Sequence, residues 1–427
     1  MVSPTISVSS SEEPTAGTTS DTAPTVTFRS YNGNLDRTFD LPTSCESAAA
    51  LEHVGLVADT AQEIFNRYQT RIDPDNNPNT LLDLALGHVA RISVLDKEPR
   101  AAMTQVGIKA SIQEAILKPE HEQVYQTETL LYWVHDTIRT NFTTLEMLIE
   151  RLKARAEQSL SKKGKKAKVE GLNAEEPAEL SGGLPSPIVA SLGGVPSDEE
   201  HSGHLPKTFT VVEEAIPVLE NHYELFKGKA PSDMPSPIWE PLITEAGDFH
   251  MQAISTHSGG DFNMDPAWYF TPERETAEIY RKYAEDRCMW SETWMIRILV
   301  PKPFIESLKK EELYYSPDWK EFVWTCPKGR ITAPKKFAKY TEAQLLKGHI
   351  CKNVSSVVMR ATAENLQQKL TEDNLMQIST GKSTQWAFLR RQTAVLLASE
   401  IKGKVHIDVY ASKMPQEAES IVLMSPK

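Results

Sequence analysis

A segment without hydrophobic periodicity, residues 159–207, divides this chain of 427 residues into two parts. It begins with a basic stretch, SKKGKKAK at 161–168, and continues into a Gly-, Ser- and Pro-rich stretch at 182–206. Such compositions favour a flexible linker or a long loop. Since the chain is long enough for two or three domains, we predict that this segment separates a mainly helical region, residues 27–158, from a second domain, residues 208–412.

The N-terminal part is predicted to be helical because its apolar residues recur every three or four positions. The clearest helix covers residues 128–158, where one apolar stripe is formed by Leu131, Val134, Ile138, Phe142, Leu145, Ile149 and Leu152. A stripe of this kind normally packs inside its own domain. Residues 25–42 predict a strand or hairpin with a turn at Asn32-Gly33. We predict that the Ser- and Thr-rich residues 1–26 form a disordered tail, and that residues 413–427 form a second tail.

The second half combines strand and helix patterns. Alternating apolar residues predict strands at 292–301 and 404–410, and shorter runs at 320–326 and 355–361 are further strand candidates. Residues 272–288 predict a helix with Pro272 in its first turn. Because strands and helices do not alternate regularly, the predicted fold class is α+β, with a helical N-terminal half followed by a mixed α/β catalytic half.

The composition narrows the function classes. The net charge of -12 argues against a protein that binds nucleic acid over its whole surface, and we expect no DNA partner, although a local basic patch is compatible with this charge. The four cysteines contain no CxxC pair, so no zinc site or disulfide framework is expected and a reducing environment is favoured. No apolar run reaches the roughly 18 residues of a membrane span, and we see no signal peptide. We therefore expect a cytoplasmic protein without a membrane partner or a metal.

Two patterns that could indicate a ligand have ordinary explanations. The stretch ISTGKST at 378–384 is part of a phosphate-loop pattern, but position 376 is Met rather than Gly, so we predict a polar turn. The histidines show no HExxH or His-x-His spacing. We interpret them as surface or core residues.

The stretch YYSPDWKEFVW at 314–324 is the most suggestive chemically. Asp318 and Glu321 are three positions apart, which places them on one face of a helical turn. The aromatic residues around them, including Trp319, favour a raised carboxyl pKa suited to proton transfer, or contact with a cationic substrate. A structural alternative is equally open: Asp318 caps a short helix and Glu321 forms a salt bridge.

Residues 259–324 resemble an ADP-ribosyltransferase-type domain. The resemblance rests on the order of GGDFNMDPAWYFTPERETAEIYRKYAE, ETWMIRILVP and DWKEFVW. It implies NAD as the cofactor, with Tyr269 stacking on the nicotinamide and Glu321 as the catalytic acid. The chain has Lys227 where that family places His or Arg.

A longer region, roughly 205–410, resembles the arginine-containing cyclodipeptide synthases of filamentous fungi. These enzymes carry a DDxxE motif, whose nearest match here is PDWKE at 317–321. The resemblance implies an enzyme of fungal secondary metabolism that joins arginine and a second amino acid, both carried on tRNA, into a diketopiperazine without a cofactor. Its partners would be aminoacyl-tRNAs, including arginyl-tRNA.

The same resemblance implies the residues of the site. Glu321 and Asp318 would be catalytic, and Asp261, Tyr269 and Trp319 would bind substrate. The basic run 151–168 and the stretch KKFAK at 335–339 could contact the tRNA backbone; the alternative for the basic run is a solvated helix end and linker. A third hypothesis is a non-catalytic interaction protein on the same fold, which Lys227 and Pro317 favour.

Overall fold

The computed structural model describes residues 5–7, 25–32, 35–71, 79–93, 98–170, 217–230, 249–256, 260–263, 265–326, 334–410 and 412–413. Helices and several sheets are both present, so the predicted α+β fold class is confirmed. Within these ranges, no helix is both long enough and apolar enough to cross a membrane.

The helices that precede residue 171 are α1 (Ala48–His53), α2 (Ala58–Gln69), α3 (Leu81–Val89), α4 (Pro99–Gln105), α5 (Ala110–Ile116), α6 (Glu122–Tyr125) and α7 (Leu130–Glu170). Local side chains explain two of their start points. The hydroxyl of Ser47 accepts a hydrogen bond from the Ala50 amide at the start of α1, and Thr80 forms a capping box with Asp83 at the start of α3. Such caps satisfy amides that have no partner within the helix.

Helix α7 carries the apolar stripe, and its described members Val134, Ile138 and Leu145 are fully buried in the core of the helical region. The helix continues to Glu170, so the prediction that a linker begins at residue 159 is wrong at its N-terminal end. Lys and Ala are strong helix formers, and the single Gly164 costs only about 1 kcal/mol relative to Ala. The rest of the predicted linker, 171–207, lies outside the described residues.

Three N-terminal strands form a small antiparallel sheet in the order β1 (Thr5–Ser7), β2 (Thr25–Asn32) and β3 (Leu35–Pro42). Asn32 pairs with Leu35, which confirms the predicted hairpin. The two residues between them, like residues 1–4 and 8–24 of the predicted tail, lie outside the described residues. Within that tail, however, β1 pairs with β2, which departs from the prediction of disorder.

The second half contains two larger sheets and a short hairpin. Its strands are β4 (His222–Lys229), β5 (Trp268–Phe270), β6 (Thr293–Pro301), β7 (Lys310–Leu313), β8 (Leu345–His349), β9 (Gln377–Ile378), β10 (Gly381–Lys382), β11 (Thr384–Phe388) and β12 (Val405–Tyr410). One sheet has the order β5-β11-β8-β7 and the other β12-β6-β4; β7 and β8 are parallel and the other pairs are antiparallel. Strands β9 and β10 form the separate hairpin.

The helices of this half are α8 (Arg274–Arg287), α9 (Lys302–Ser307), α10 (Pro317–Thr325), α11 (Ala338–Thr341), α12 (Leu366–Lys369) and α13 (Arg391–Glu400). The predicted strands at 292–301 and 404–410 and the predicted helix at 272–288 are confirmed as β6, β12 and α8. The predicted polar turn at 378–384 is also confirmed, since Ile378 pairs with Gly381 in the β9–β10 hairpin.

Two short strand predictions are wrong. Residues 320–326 belong to α10, because the Ser316 hydroxyl caps the helix and Pro317 fits its first position. Residues 355–361 begin within a single π-helical turn, Val354–Val358, which follows Asn353 in the left-handed conformation. Asn tolerates that conformation better than most residues, and a strand cannot continue through it.

The two halves share packed contacts around Tyr283 of α8. Its ring is fully buried in the core of the helical region, and its hydroxyl donates a 3.0 Å hydrogen bond to the carbonyl of Ile116. An isolated bridge between Phe226 and Thr271 joins β4 to the residue that follows β5. The ring of Trp133 on α7 contacts Tyr283 edge-on, so α7, α8 and both larger sheets meet around a common space.

Candidate functional site

A cavity of about 630 Å³ lies where the start of α7 meets β4, β5 and α8. Its volume is within the range of roughly 300–1,000 Å³ that is usual for small-molecule sites. Residues 127–140 form one wall, β4 and the residues around β5 form another, and Thr276, Ala277 and Tyr280 of α8 also line it. The cavity therefore joins the helical region to the sheets.

Asp261 lies in this cavity and is only 8% exposed. Its Oδ2 accepts hydrogen bonds from the Cys351 amide at 2.8 Å and from the Gln385 side chain at 2.9 Å. Within the described residues, no donor bonds Oδ1. Burial raises the pKa of Asp261 to about 7, although the two hydrogen bonds act in the opposite direction.

Glu128 is a second carboxylate in the same cavity, and it lies two residues before Leu130, the first residue of α7. Burial raises its pKa well above the usual range, and the negative charge of Asp261 raises it further. Only the backbone N–H of Thr129 opposes this effect. Two carboxylates that disfavour each other's ionisation are a common feature of sites that bind cations or transfer protons.

Tyr269 stands beside these acids. The Phe262 amide donates a 3.4 Å hydrogen bond to its hydroxyl, and Gly260 approaches the ring so closely that a Cβ there would lie 2.7 Å from the hydroxyl oxygen. Glycine is thus required at 260 if the ring keeps this position. Burial is the main cause that raises the pKa of Tyr269 well above its usual range, so the phenol stays protonated and can donate.

Basic residues line the cavity as well. On β4, Lys227 donates to the Tyr269 carbonyl at 3.3 Å and Lys229 donates to the Ala253 carbonyl at 3.0 Å. On α8, Arg287 forms a 2.8 Å ion pair with Asp136 of α7 and donates to the Thr137 hydroxyl at 2.7 Å. This ion pair links α8 to α7, and the charge of Asp136 is compensated by Arg287.

The predicted site residues fall into two groups. Asp261 and Tyr269, which the resemblance implies as substrate-binding residues, line the cavity together. Asp318 and Glu321 lie on α10 and do not line it. The Tyr340 hydroxyl donates to Asp318 at 3.3 Å, and Glu321 pairs with Lys336 at 2.5 Å, which matches the salt bridge of the structural alternative. The helix cap is Ser316 rather than Asp318.

Trp319 is a core residue rather than a wall of the cavity, which corrects its prediction as a substrate-binding residue. Its side chain is 0% exposed, and its indole N–H donates to the His349 carbonyl at 3.1 Å. The apolar cluster around it includes Phe322 and Leu346. An indole without exposed surface has no face to offer a substrate.

Sequence reasoning missed Glu128, Lys229, Gln385 and Arg287 as cavity residues. Each lies in a different segment of the chain, and Asp261 meets Gln385 across 124 positions. Glu128 carried a weak local signal, since it stands among threonines, TET at 127–129, at a helix start. A pattern of that kind is too common to single out a site.

The described residues contain a group with the composition of a metal site: Glu120, His121 and Asp286. Asp286 accepts hydrogen bonds from His121 at 2.6 Å and from Lys118 at 2.9 Å, and it also pairs with Lys413. These bonds hold the pKa of Asp286 well below its usual range against the effect of burial. The carboxylate is thus already neutralised by lysines, and this group serves as an ion-pair cluster.

Comparison of the chain with protein-family models, with curated protein sequences and with solved structures finds no match. The cavity and its residues are therefore the basis for any functional inference.

Proposed function

We propose that this protein is a tRNA-dependent cyclodipeptide synthase that condenses arginine with a second amino acid into a diketopiperazine. The observation that carries the proposal is the carboxylate of Asp261, buried in a cavity of ligand size, with a pKa of about 7 and with Oδ1 free of donors from the described residues. A base whose pKa lies near the working pH is suited to proton transfer.

The chemistry needs a base but no external energy source, because an aminoacyl ester is already activated. The α-amine of one ester attacks the carbonyl carbon of the other, and Asp261 removes a proton from that amine. An amide bond forms, the ester bond breaks, and the tRNA ribose oxygen leaves with a proton. A second reaction of the same kind closes the ring, so that two amide bonds replace two ester bonds.

Two further features of the cavity support this reaction. The hydroxyl of Tyr269 stays protonated and lies beside Asp261, so it can donate to the oxyanion that develops on the attacked carbonyl. The hydrogen bonds from Cys351 and Gln385 hold Oδ2 of Asp261 in place. Oδ1 can therefore accept the proton without reorganisation of the side chain.

Helix α7 supplies a path for the tRNA. Its first turns line the cavity, and it continues unbroken into the basic run 151–168. At a rise of 1.5 Å per residue, Arg151 lies roughly 30 Å along the helix from Leu130. A tRNA whose aminoacylated end enters the cavity would extend its negatively charged backbone along this helix. We also propose a cytoplasmic location, where charged tRNAs are available.

The test is product formation by purified protein supplied with arginyl-tRNA and a mixture of other charged tRNAs. We expect Asp261→Asn to lower the rate by about 100-fold or more, because a general base contributes roughly 10²–10⁴-fold. Glu321→Gln is the matched control, because it removes a carboxylate that pairs with Lys336 outside the cavity. A normal rate for Asp261→Asn with a lost rate for Glu321→Gln would transfer the catalytic role to α10.

A second candidate is an ADP-ribosyltransferase-like enzyme that uses NAD. Lys227 and Tyr269 favour it, because they lie on adjoining strands and line the same cavity. Tyr269 would stack on the nicotinamide and Lys227 would meet the phosphates, but the acid expected at Glu321 lies outside the cavity. NAD should then raise the melting temperature of the wild-type protein, since a ligand that binds only the folded state stabilises it. If the protein forms no diketopiperazine and is not stabilised by NAD, a non-catalytic interaction protein is favoured.

A further inference from the structure

We propose that Glu128 is the receptor for a guanidinium group in the cavity and therefore determines the preference for arginine. The inference rests on the proposed function for the identity of the ligand, but the site itself rests on the geometry of the cavity.

Two of the three acids that line the cavity already have partners. Asp136 pairs with Arg287 at 2.8 Å, and Asp261 accepts two hydrogen bonds. Glu128 forms no ion pair with any residue that the structure describes, and only a backbone N–H adjacent to it favours its charged form. Among the three acids that line the cavity, Glu128 is therefore the one whose ionised form lacks a partner, so a cation that enters the cavity would stabilise that form.

Hydrogen bonds hold the backbone on both sides of Glu128. The Thr127 hydroxyl donates to the Val124 carbonyl at 2.8 Å and accepts from the Tyr280 hydroxyl at 3.2 Å. On the other side, the Thr129 hydroxyl accepts from the Tyr132 amide at 3.2 Å, which fixes the start of α7. Glu128 is thus held between two anchored threonines. A carboxylate on a fixed backbone loses little conformational entropy when it binds a ligand.

The groups around Glu128 favour a guanidinium group over other cations. A carboxylate accepts two parallel hydrogen bonds from the planar guanidinium group, and aromatic rings add cation–π contact. Tyr132, Trp133 and Tyr280 line the cavity with Glu128. The negative charge of Asp261 strengthens the attraction, since it disfavours a lone charged Glu128 but favours a bound cation. A guanidinium side chain at Glu128 would leave the α-amine of the same amino acid free to reach Asp261.

The test compares the binding of argininamide with that of citrullinamide by isothermal titration calorimetry. The two probes have nearly the same shape, but the second carries a neutral urea in place of the guanidinium. We expect the wild-type protein to prefer argininamide by about 30-fold or more, which is the lower end of the effect of losing one partner of a buried charge pair. Glu128→Gln should reduce this preference to within a few-fold of one.

Folding of the variant does not confound the test. Glu128→Gln removes a buried, unpaired acid, so the variant should melt at the wild-type temperature or above it. Glu114→Gln on α5 is the second variant: it removes an exposed carboxylate that does not line the cavity, and it should retain the full preference. An unchanged preference in Glu128→Gln, or no preference in the wild-type protein, would overturn the inference.

Failure of this inference and failure of the proposed function give different results. If Glu128→Gln keeps its preference for argininamide and still produces a diketopiperazine, the receptor is another residue and the synthase function stands. If argininamide binds through Glu128 but the wild-type protein forms no diketopiperazine, the site stands and the proposed function fails.

Discussion

Substitution of Asp261 by Asn should change how the stability of the protein depends on pH. Burial raises the pKa of this carboxyl from 3.8 to about 7 in the folded state. Between these two values the folded protein binds more protons than the unfolded chain, so the free energy of unfolding falls as the pH rises. Asn keeps the shape and an acceptor oxygen for Cys351 and Gln385 but does not ionise.

The size of the effect follows from the difference between the two pKa values. One pH unit corresponds to about 1.4 kcal/mol, so the ionised Asp261 destabilises the fold by about 4 kcal/mol well above pH 7. Roughly 2–3 kcal/mol of this loss falls between pH 5 and pH 8. Relative to the wild-type protein, Asp261→Asn should therefore gain that amount of stability over the same interval.

The assay is urea denaturation of both proteins at pH 5 and pH 8, with tryptophan fluorescence as the readout of unfolding. The difference in the free energy of unfolding between the two proteins is compared at the two pH values. The other titrating groups are the same in both proteins, so the change in this difference reports on Asp261. Glu114→Gln on α5 is the matched control, because its exposed side chain stays in water on folding. If the free energy of unfolding of the wild-type protein and of Asp261→Asn depends on pH equally, the reasoning that burial disfavours the ionised carboxylate is refuted.

Three further predictions concern the packing of two glycines, the ion pair of Arg287 and the binding of tRNA. Gly228→Ala should lower the free energy of unfolding by roughly 1–3 kcal/mol, because its Cβ would lie 1.9 Å from the Ala277 carbonyl oxygen. Gly87→Ala is the control: its helical position is open, so the substitution should raise the free energy of unfolding by about 0.5–1 kcal/mol. Thermal melts of both variants measure the difference. Asp136→Asn should destabilise by about 3 kcal/mol, measured by urea denaturation, because it leaves buried Arg287 without its counter-charge. Binding of tRNA should weaken steeply as salt rises from 50 to 200 mM in filter-binding assays, and salt-independent binding would contradict contact with phosphates.

The parts of the fold that local patterns control could be predicted from the sequence. The stripe of α7, the strand β6 and the helix α8 each combine a long periodic run with clear ends, and each was confirmed. The short segments were not predictable in this way. In residues 320–326 the aromatic content favours a strand, but a single cap at Ser316 decides for a helix.

The site was predictable only where its residues lie close together in the chain. Asp261 and Tyr269 stand eight positions apart around one turn, and both line the cavity, whereas their role in binding substrate stays a prediction. The partners that define their chemistry come from distant segments: Cys351 and Gln385 bind Asp261, and Glu128 approaches from the start of α7. Asp318 and Glu321 were selected for their aromatic neighbours, yet those neighbours form the core behind α10.

The most direct test of the central claim is untargeted mass spectrometry of a bacterial culture that expresses this chain, compared with cultures that carry an empty vector or the Asp261→Asn variant. The host supplies charged tRNAs, so the substrates need not be added. We predict a new arginine-containing diketopiperazine in the wild-type culture alone, and its mass would identify the second amino acid. Soluble, folded wild-type protein without any such product would contradict the proposed function.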